Sequence, residues 1–220
     1  MRSSVRYQPD PIEAESMARI AQMRDWTSFP PEQVPVLTRM AHTVGDCSIV
    51  EGVLFSAGAV GAGVRALKSG CPMITDVTMV QAGLKRRLVA DLGIHVECFV
   101  HAEEAFRRAD EQRITRSAAG IRIAAEQFPV NAVVTIGDAP TALMETIRLI
   151  EEGRFAPALV VGLPVGFVGT EEAKRCLATI TACAWITNCG TRGGSPLAAC
   201  VVNALMIRAL NELADGAESH

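Results

Sequence analysis

The chain has 220 residues, 49% hydrophobic and 20% charged, enough for one large domain over 1–220 with a sizeable core. A formal net charge of −3, with Lys85-Arg86-Arg87 as the longest basic run, gives no basis for nucleic-acid binding. The start, MRSSVRYQPD, lacks the apolar core of a signal peptide, no apolar run reaches the roughly 18 residues of a membrane span, and the seven cysteines form no CxxC pair, so a cytoplasmic protein with reduced, mostly buried thiols and no metal site is expected.

A helix starts at Asp10-Pro11-Ile12-Glu13, where Asp10 caps, Pro11 fits the first position and Glu13 completes a capping box. Ile12, Ser16, Ile20 and Met23 fall on one face of it; the Ser16 hydroxyl either bonds back to the helix or meets a ligand. A second helix runs from about Pro31 to Val44 and stops at Gly45, with Leu37, Met40, Ala41 and Val44 as its apolar stripe. Arg39 and His42, three apart, are neighbours pointing away from that stripe, toward solvent, a cleft or a partner subunit.

A third helix spans Ser56 to Gly70. Apolar runs at Pro72–Thr75, Ile94–Val100, Ala132–Ile136, Ala158–Val161 and Ala184–Thr187 then read as strands. Helical patterns near 77–84, 102–109, 117–127, 141–152 and 170–179 separate them, and a last helix follows Pro196. This βαβ alternation implies a parallel sheet covered by helices on both sides.

Ligands of such sheets bind at the carboxyl ends of the strands. Here those ends are Thr75-Asp76, Gly137-Asp138-Ala139-Pro140-Thr141, Gly162 to Phe167 and Gly190 to Pro196, while Thr115-Arg116-Ser117 opens another helix. Converging helix N-termini favour anions, and Arg116 and Arg192 add charge-assisted bonds, although glycine-rich turns also serve plain tight connections. GxGxxG, GxxxxGK[ST] and GxSxG motifs are all missing, so the residues alone point to a small molecule with several negative groups. Among the histidines, His95 lies in a strand pattern, His101 suits a helix cap and His220 is terminal. His42 sits near a helix C-terminus, where the dipole favours positive charge; it reads either as a general acid or as an exposed helix residue.

Six segments carry a more specific signal: TRMAHTVGD at 38–46, SGCPMITDVTMVQAG at 69–83, ITRSAAG at 114–120, TIGDAPTAL at 135–143, GLPVGFVGTEEAK at 162–174 and GTRGGSPLAACVVNAL at 190–205. In this order, from about residue 8 to 210, the chain resembles the precorrin-8X methylmutase family, including its cobalt-precorrin-8 members. The resemblance implies a flavodoxin-like, three-layer α/β/α fold with a five-stranded parallel sheet, its switch point flanked by Thr75-Asp76 and Gly137-Asp138. It implies a homodimeric isomerase that moves a methyl group from C-11 to C-12 of precorrin-8X or cobalt-precorrin-8, giving hydrogenobyrinate or cobyrinate, with no cofactor.

By the same resemblance His42 is the catalytic proton donor and acceptor, and Ser16 and Arg39 hold the macrocycle. The substrate is a flat tetrapyrrole fringed with carboxylates. Arg39, Lys85 and Arg116, with Thr75, Asp76, Ser117, Thr141, Gly193, Gly194 and Ser195, are the candidate contacts for that fringe. Met79, Val80, Val165 and Phe167 are candidates for an apolar slot. Asp138 departs from the asparagine the resemblance implies. The alternatives are a non-catalytic corrin-binding carrier and a flavodoxin-like binder of a phosphate ligand.

Overall fold

The computed structural model of the protein describes residues 6–218, so His220 and the first five residues lie outside it. In chain order the elements are α1 (Pro11–Met23), α2 (Val34–Val44), a 3-10 turn over Cys47–Gly52, β1 (Val53–Phe55), α3 (Ala59–Lys68), β2 (Met73–Thr75), α4 (Thr78–Ala82), α5 (Arg86–Leu92) and β3 (Val96–Glu97). There follow α6 (Glu103–Gln112), α7 (Arg116–Gln127), β4 (Val133–Ile136), α8 (Pro140–Glu151), β5 (Leu159–Gly162), α9 (Thr170–Thr179), β6 (Ala184–Asn188) and α10 (Ser195–Glu218).

The sheet order is β1-β6-β5-β4-β2-β3. Five strands are parallel and, numbered among themselves, run 2-1-3-4-5, the flavodoxin-like order. The sheet has six strands rather than the expected five. Val53–Phe55 pairs antiparallel with β6, Val53 opposite Asn188 and Phe55 opposite Ile186. Three residues following a 3-10 turn are too few to display an alternating pattern in sequence.

Alternate strand residues face opposite layers. Val133, Leu159, Val161 and Ile186 pack under α2, α3 and α10, whereas Val134, Ile136 and Val160 pack under α7, α8 and α9. Helix α10 is long and apolar enough to cross a membrane by length and composition, but 72% of an apolar 18-residue stretch within it is buried inside the fold, as in a core helix. Leu197, Val201, Val202, Leu205 and Met206 are all buried; at about 1.5–3 kcal/mol per side chain this helix is a large part of the core's driving force.

Two local expectations change. Of the proposed α1 stripe only Ile20 is buried, and Ile12 is 81% exposed, so α1 lies on the surface and touches the core at one point. All seven cysteines are free, but only Cys71 and Cys200 are buried and Cys189 is exposed.

Candidate active site

Helices α1 and α2 face each other through two polar rungs. Glu13 and Ser16 lie three apart on α1, and Arg39 and His42 three apart on α2, so each pair shares a face. In one rung Ser16 Oγ is 2.8 Å from His42 Nδ1. In the other, Arg39 Nη1 is 2.8 Å from Glu13 Oε1. The Ser16 hydroxyl therefore meets an imidazole and not its own helix. The His42 ring is exposed, and its bond to Ser16 leaves Nε2 for a ligand.

The expected capping box is half present. Asp10 Oδ1 accepts from the Glu13 N–H at 2.8 Å, but the Glu13 carboxylate turns toward cations. It accepts from Lys85 Nζ at 2.9 Å and from the Tyr7 hydroxyl at 2.9–3.0 Å, besides pairing with Arg39. Burial pushes this carboxyl up, yet bonds from Lys85, Arg39 and Tyr7 outweigh burial and hold it at about 2. Lys85 also donates to the Tyr7 hydroxyl, and its ammonium sits 4.8 Å from the Tyr7 ring centroid.

Helix α10 fixes the turn that carries Lys85. Asn203 Oδ1 accepts from the Lys85 backbone N–H at 2.9 Å, and Asn203 Nδ2 donates to the Gly83 carbonyl at 2.9 Å. Glu13, Arg39, His42, Lys85, Pro196 and Cys200 are among the residues around one cavity of about 290 Å³. The first turn of α10 thus borders the histidine, where the positive end of its dipole favours an anion.

A second cavity, about 380 Å³, is lined by Thr78, His101, Arg116, Ser117, Asp138 and Thr141, among others. Arg116 stacks over the Phe106 ring at 4.8 Å, and Thr141 shares a 2.7 Å hydroxyl bond with Thr115, the N-cap of α7. The cap of α6 is Ala102, so His101 borders the cavity without capping. His95 is exposed, 2.5 Å from Glu97. Helix α4 runs between the two cavities: Val77 and Thr78 border the second, Gly83 and Lys85 the first, and Met79 on α4 is 67% exposed.

The strand ends themselves are closed. Asp76 is 2% exposed and its carboxylate accepts from the N–H groups of Gly137 (3.0 Å), Asp138 (2.9 Å) and Ala139 (2.8 Å). Burial pushes this carboxyl up, and the three N–H bonds oppose that. Thr75 is buried and donates to the Glu97 carbonyl at 3.4 Å. Both were expected to contact substrate; both are occupied inside the fold. Val80 is fully buried and belongs to the core, whereas Val165 and Phe167 are exposed, Phe167 by 94%.

Gly194 and Ser195 are buried at the start of α10. Gly193 is needed for close approach: a Cβ there would meet the Pro164 carbonyl oxygen at 2.2 Å and that of Leu163 at 2.5 Å. Arg192, expected to face an anion, bonds Asp46 at 3.0 Å and Ser48 at 3.3 Å. The loop is also clamped from below by Lys174, which is 2% exposed and donates to the carbonyls of Gly190 (3.0 Å) and Arg192 (2.6 Å). Burial pushes its ammonium down to about 8, with Cys189 and Glu171 opposing.

Sequence reasoning missed Glu13, Tyr7, Asn203 and Lys174. A signal existed for Glu13 alone, in its three-residue spacing from Ser16. Among the described residues no group of three or more His, Cys, Asp or Glu side chains converges as a metal site requires.

Comparison with known proteins matches residues 11–208 to the family model described as precorrin-8X methylmutase. A cobalt-precorrin-8 methylmutase of Priestia megaterium is 36% identical over 202 residues, covering 92% of this chain and 89% of the relative. A precorrin-8X methylmutase of Pseudomonas aeruginosa is also 36% identical, over 196 residues, covering 88% and 93%. The crystal structure of a precorrin-8X methylmutase from Thermus thermophilus superimposes with a TM-score of 0.85 at 35% identity, over 93% of this chain and 96% of that one.

Proposed function

This chain belongs to the precorrin-8X methylmutase family, and we propose that it moves the methyl group at C-11 of the macrocycle to C-12, with His42 as proton donor and acceptor. It is a methylmutase, an isomerase of cobalamin biosynthesis acting on a precorrin-8 tetrapyrrole. The observation that carries the role of His42 is the 2.8 Å contact between Ser16 Oγ and its Nδ1, with the His42 ring bordering a cavity that Arg39 and Lys85 also line.

A ring held at Nδ1 by a hydroxyl has a fixed orientation, so Nε2 meets the ligand. Protonated, Nε2–H donates to a ring nitrogen of the macrocycle, which disturbs the conjugation and eases a sigmatropic shift of the methyl group. The carbon–methyl bond at C-11 breaks as the one at C-12 forms, and the proton then returns to Nε2. Atoms, electrons and protons balance, as an isomerisation requires.

The carboxylate fringe meets Arg39 and Lys85 at the first cavity and Arg116, Ser117 and Thr141 at the second. Gly193-Gly194-Ser195 leads into α10 and presents the positive end of its dipole. Met79, between the cavities, lies under the apolar plane. By the same reading the chain works as one domain over 1–220, in the cytoplasm, as a homodimer.

The test is anaerobic turnover of precorrin-8 and of cobalt-precorrin-8, followed by the change in absorption spectrum. The parent converts at least one of them, and His42→Ala loses about 100-fold or more at unchanged thermal stability. Near-normal turnover by a folded His42→Ala protein would falsify the assignment. Tight binding of product by a parent that never converts substrate would make the chain a corrin carrier.

A further inference from the structure

Glu13 stands apart from the residues given a part in the reaction so far. Its carboxylate is 11% exposed and joins two cations from different elements, Arg39 of α2 and Lys85 before α5. An ammonium has three N–H donors; Glu13 and Tyr7 take two from Lys85 and leave one. A guanidinium has five, of which Glu13 engages Nη1 of Arg39. Both cations therefore keep donors for a ligand while their long side chains are held. Without that hold, each pays rotamer entropy on binding.

The surroundings suit positioning better than mere surface pairing. The backbone of the Lys85 turn is already pinned by Asn203, so the side chain is what remains to be oriented, and Glu13 and Tyr7 orient it. Tyr7 is itself anchored, its N–H donating to Asn211 Oδ1 at 3.0 Å. Arg39, Lys85 and His42 border the same cavity as Glu13. One carboxylate between two cations leaves one net positive charge, which matches one carboxylate of a ligand.

We infer that Glu13 is a positioning residue: it presets Arg39 and Lys85 as a joined cation pair that receives one carboxylate of the macrocycle and so seats a ring nitrogen at His42. This rests on the reading of the His42 cavity as the methylmutase site. It assigns Glu13 an effect on binding, through the two cations, and no contact with the migrating methyl group.

The experiment compares the parent with Glu13→Gln and Tyr7→Phe. KM and kcat are measured on the converted substrate. Kd is measured by absorbance for hydrogenobyrinate or cobyrinate and for a corrin whose side-chain carboxylates are amides. Glu13→Gln raises KM and the Kd of the polycarboxylate about tenfold, with kcat within about threefold, because the charge-assisted bonds that hold the two cations are weakened. Tyr7→Phe moves KM and Kd the same way by about twofold to threefold, and carries the test if Glu13→Gln does not fold. On the amidated corrin the effect of Glu13→Gln disappears, an outcome that loss of packing alone does not give.

Unchanged KM and Kd in a folded Glu13→Gln protein overturn the inference. So does tighter binding, which makes Glu13 a competitor of the substrate, and so does equal weakening on both corrins. A parent without turnover refutes the methylmutase reading instead, and the Kd comparison still decides whether Glu13 sets the cation pair.

Discussion

Asp76 Oδ1 accepts from the Gly137 N–H at 3.0 Å, across the gap between β2 and β4 where the strand order reverses. Open α/β sheets bind ligands in that crevice. Here an internal carboxylate fills it and serves the N-terminus of α8 as an anion of the protein's own. Open cavities lie to either side, one toward α1, α2 and α10 and the other toward α7 and α8. Asp76→Ala leaves three inward N–H groups without an acceptor. We expect it to lower unfolding free energy by about 2–3 kcal/mol in urea titration, with turnover reduced because the Gly137–Ala139 loop shifts. Wild-type stability in that variant would mean the loop is held by something else.

On the proposed mechanism Ser16 acts through His42 and not on the substrate alone. Ser16→Ala removes the acceptor or donor at Nδ1 and loosens the ring. The expected loss in kcat is about tenfold, well below that for His42→Ala, with thermal stability unchanged because the serine is on a surface helix. Equal losses in the two variants would instead place the serine hydroxyl on the reacting atoms.

Two glycines give opposite expectations for the same substitution. At Gly193 a methyl group collides with two backbone carbonyls that have no room to yield, so Gly193→Ala destabilises by about 2–4 kcal/mol and raises KM by moving the start of α10. At Gly216, inside α10, a methyl group meets open space, and Gly216→Ala stabilises by up to about 1 kcal/mol. Thermal denaturation of the pair checks both signs.

Lys174 predicts a dependence of stability on pH. Its ammonium is held at about 8 in the fold by burial, against 10.5 when free. Between those values the unfolded chain binds more protons, so stability rises with pH through this window, by about 3 kcal/mol for this group; below 8 both states are protonated and the slope vanishes. Burial pushes the thiols of Cys71, Cys183 and Cys200 from 9.0 to about 11, which acts oppositely above pH 9. The informative quantity is therefore the difference between the parent and Lys174→Met, in which the thiols cancel. That difference is expected to climb from pH 8 to 10.5; a flat one would contradict the burial effect.

Much of the architecture is written in local patterns. The five parallel strands are short apolar runs between helical stretches, whereas their order is implied only by the flavodoxin-like fold of the family the chain resembles. The Arg39–His42 spacing likewise places both residues on one face of α2. What the sequence does not reveal is who uses a polar group. Asp76 was placed correctly at a strand end, but only the fold tells that its acceptors are consumed by N–H groups 61–63 residues away. Glu13 had a satisfactory local role as a cap, while its ionic partners lie 26 and 72 residues further on. Arg192 is the converse case, a cation that looked available and is tied to Asp46.

The antiparallel pairing of β1 has a consequence for behaviour at high concentration. An unpaired strand edge can recruit the edge of another molecule and seed insoluble assemblies. β1 covers Ile186 to Asn188 of the five-residue β6, Ser56 bonds Trp185 beyond it, and β1 itself is only three residues long. At the opposite end the sheet stops at β3, two residues over Val96–Glu97. Neither rim is long enough to template a further strand, and each is shorter than the strand next to it.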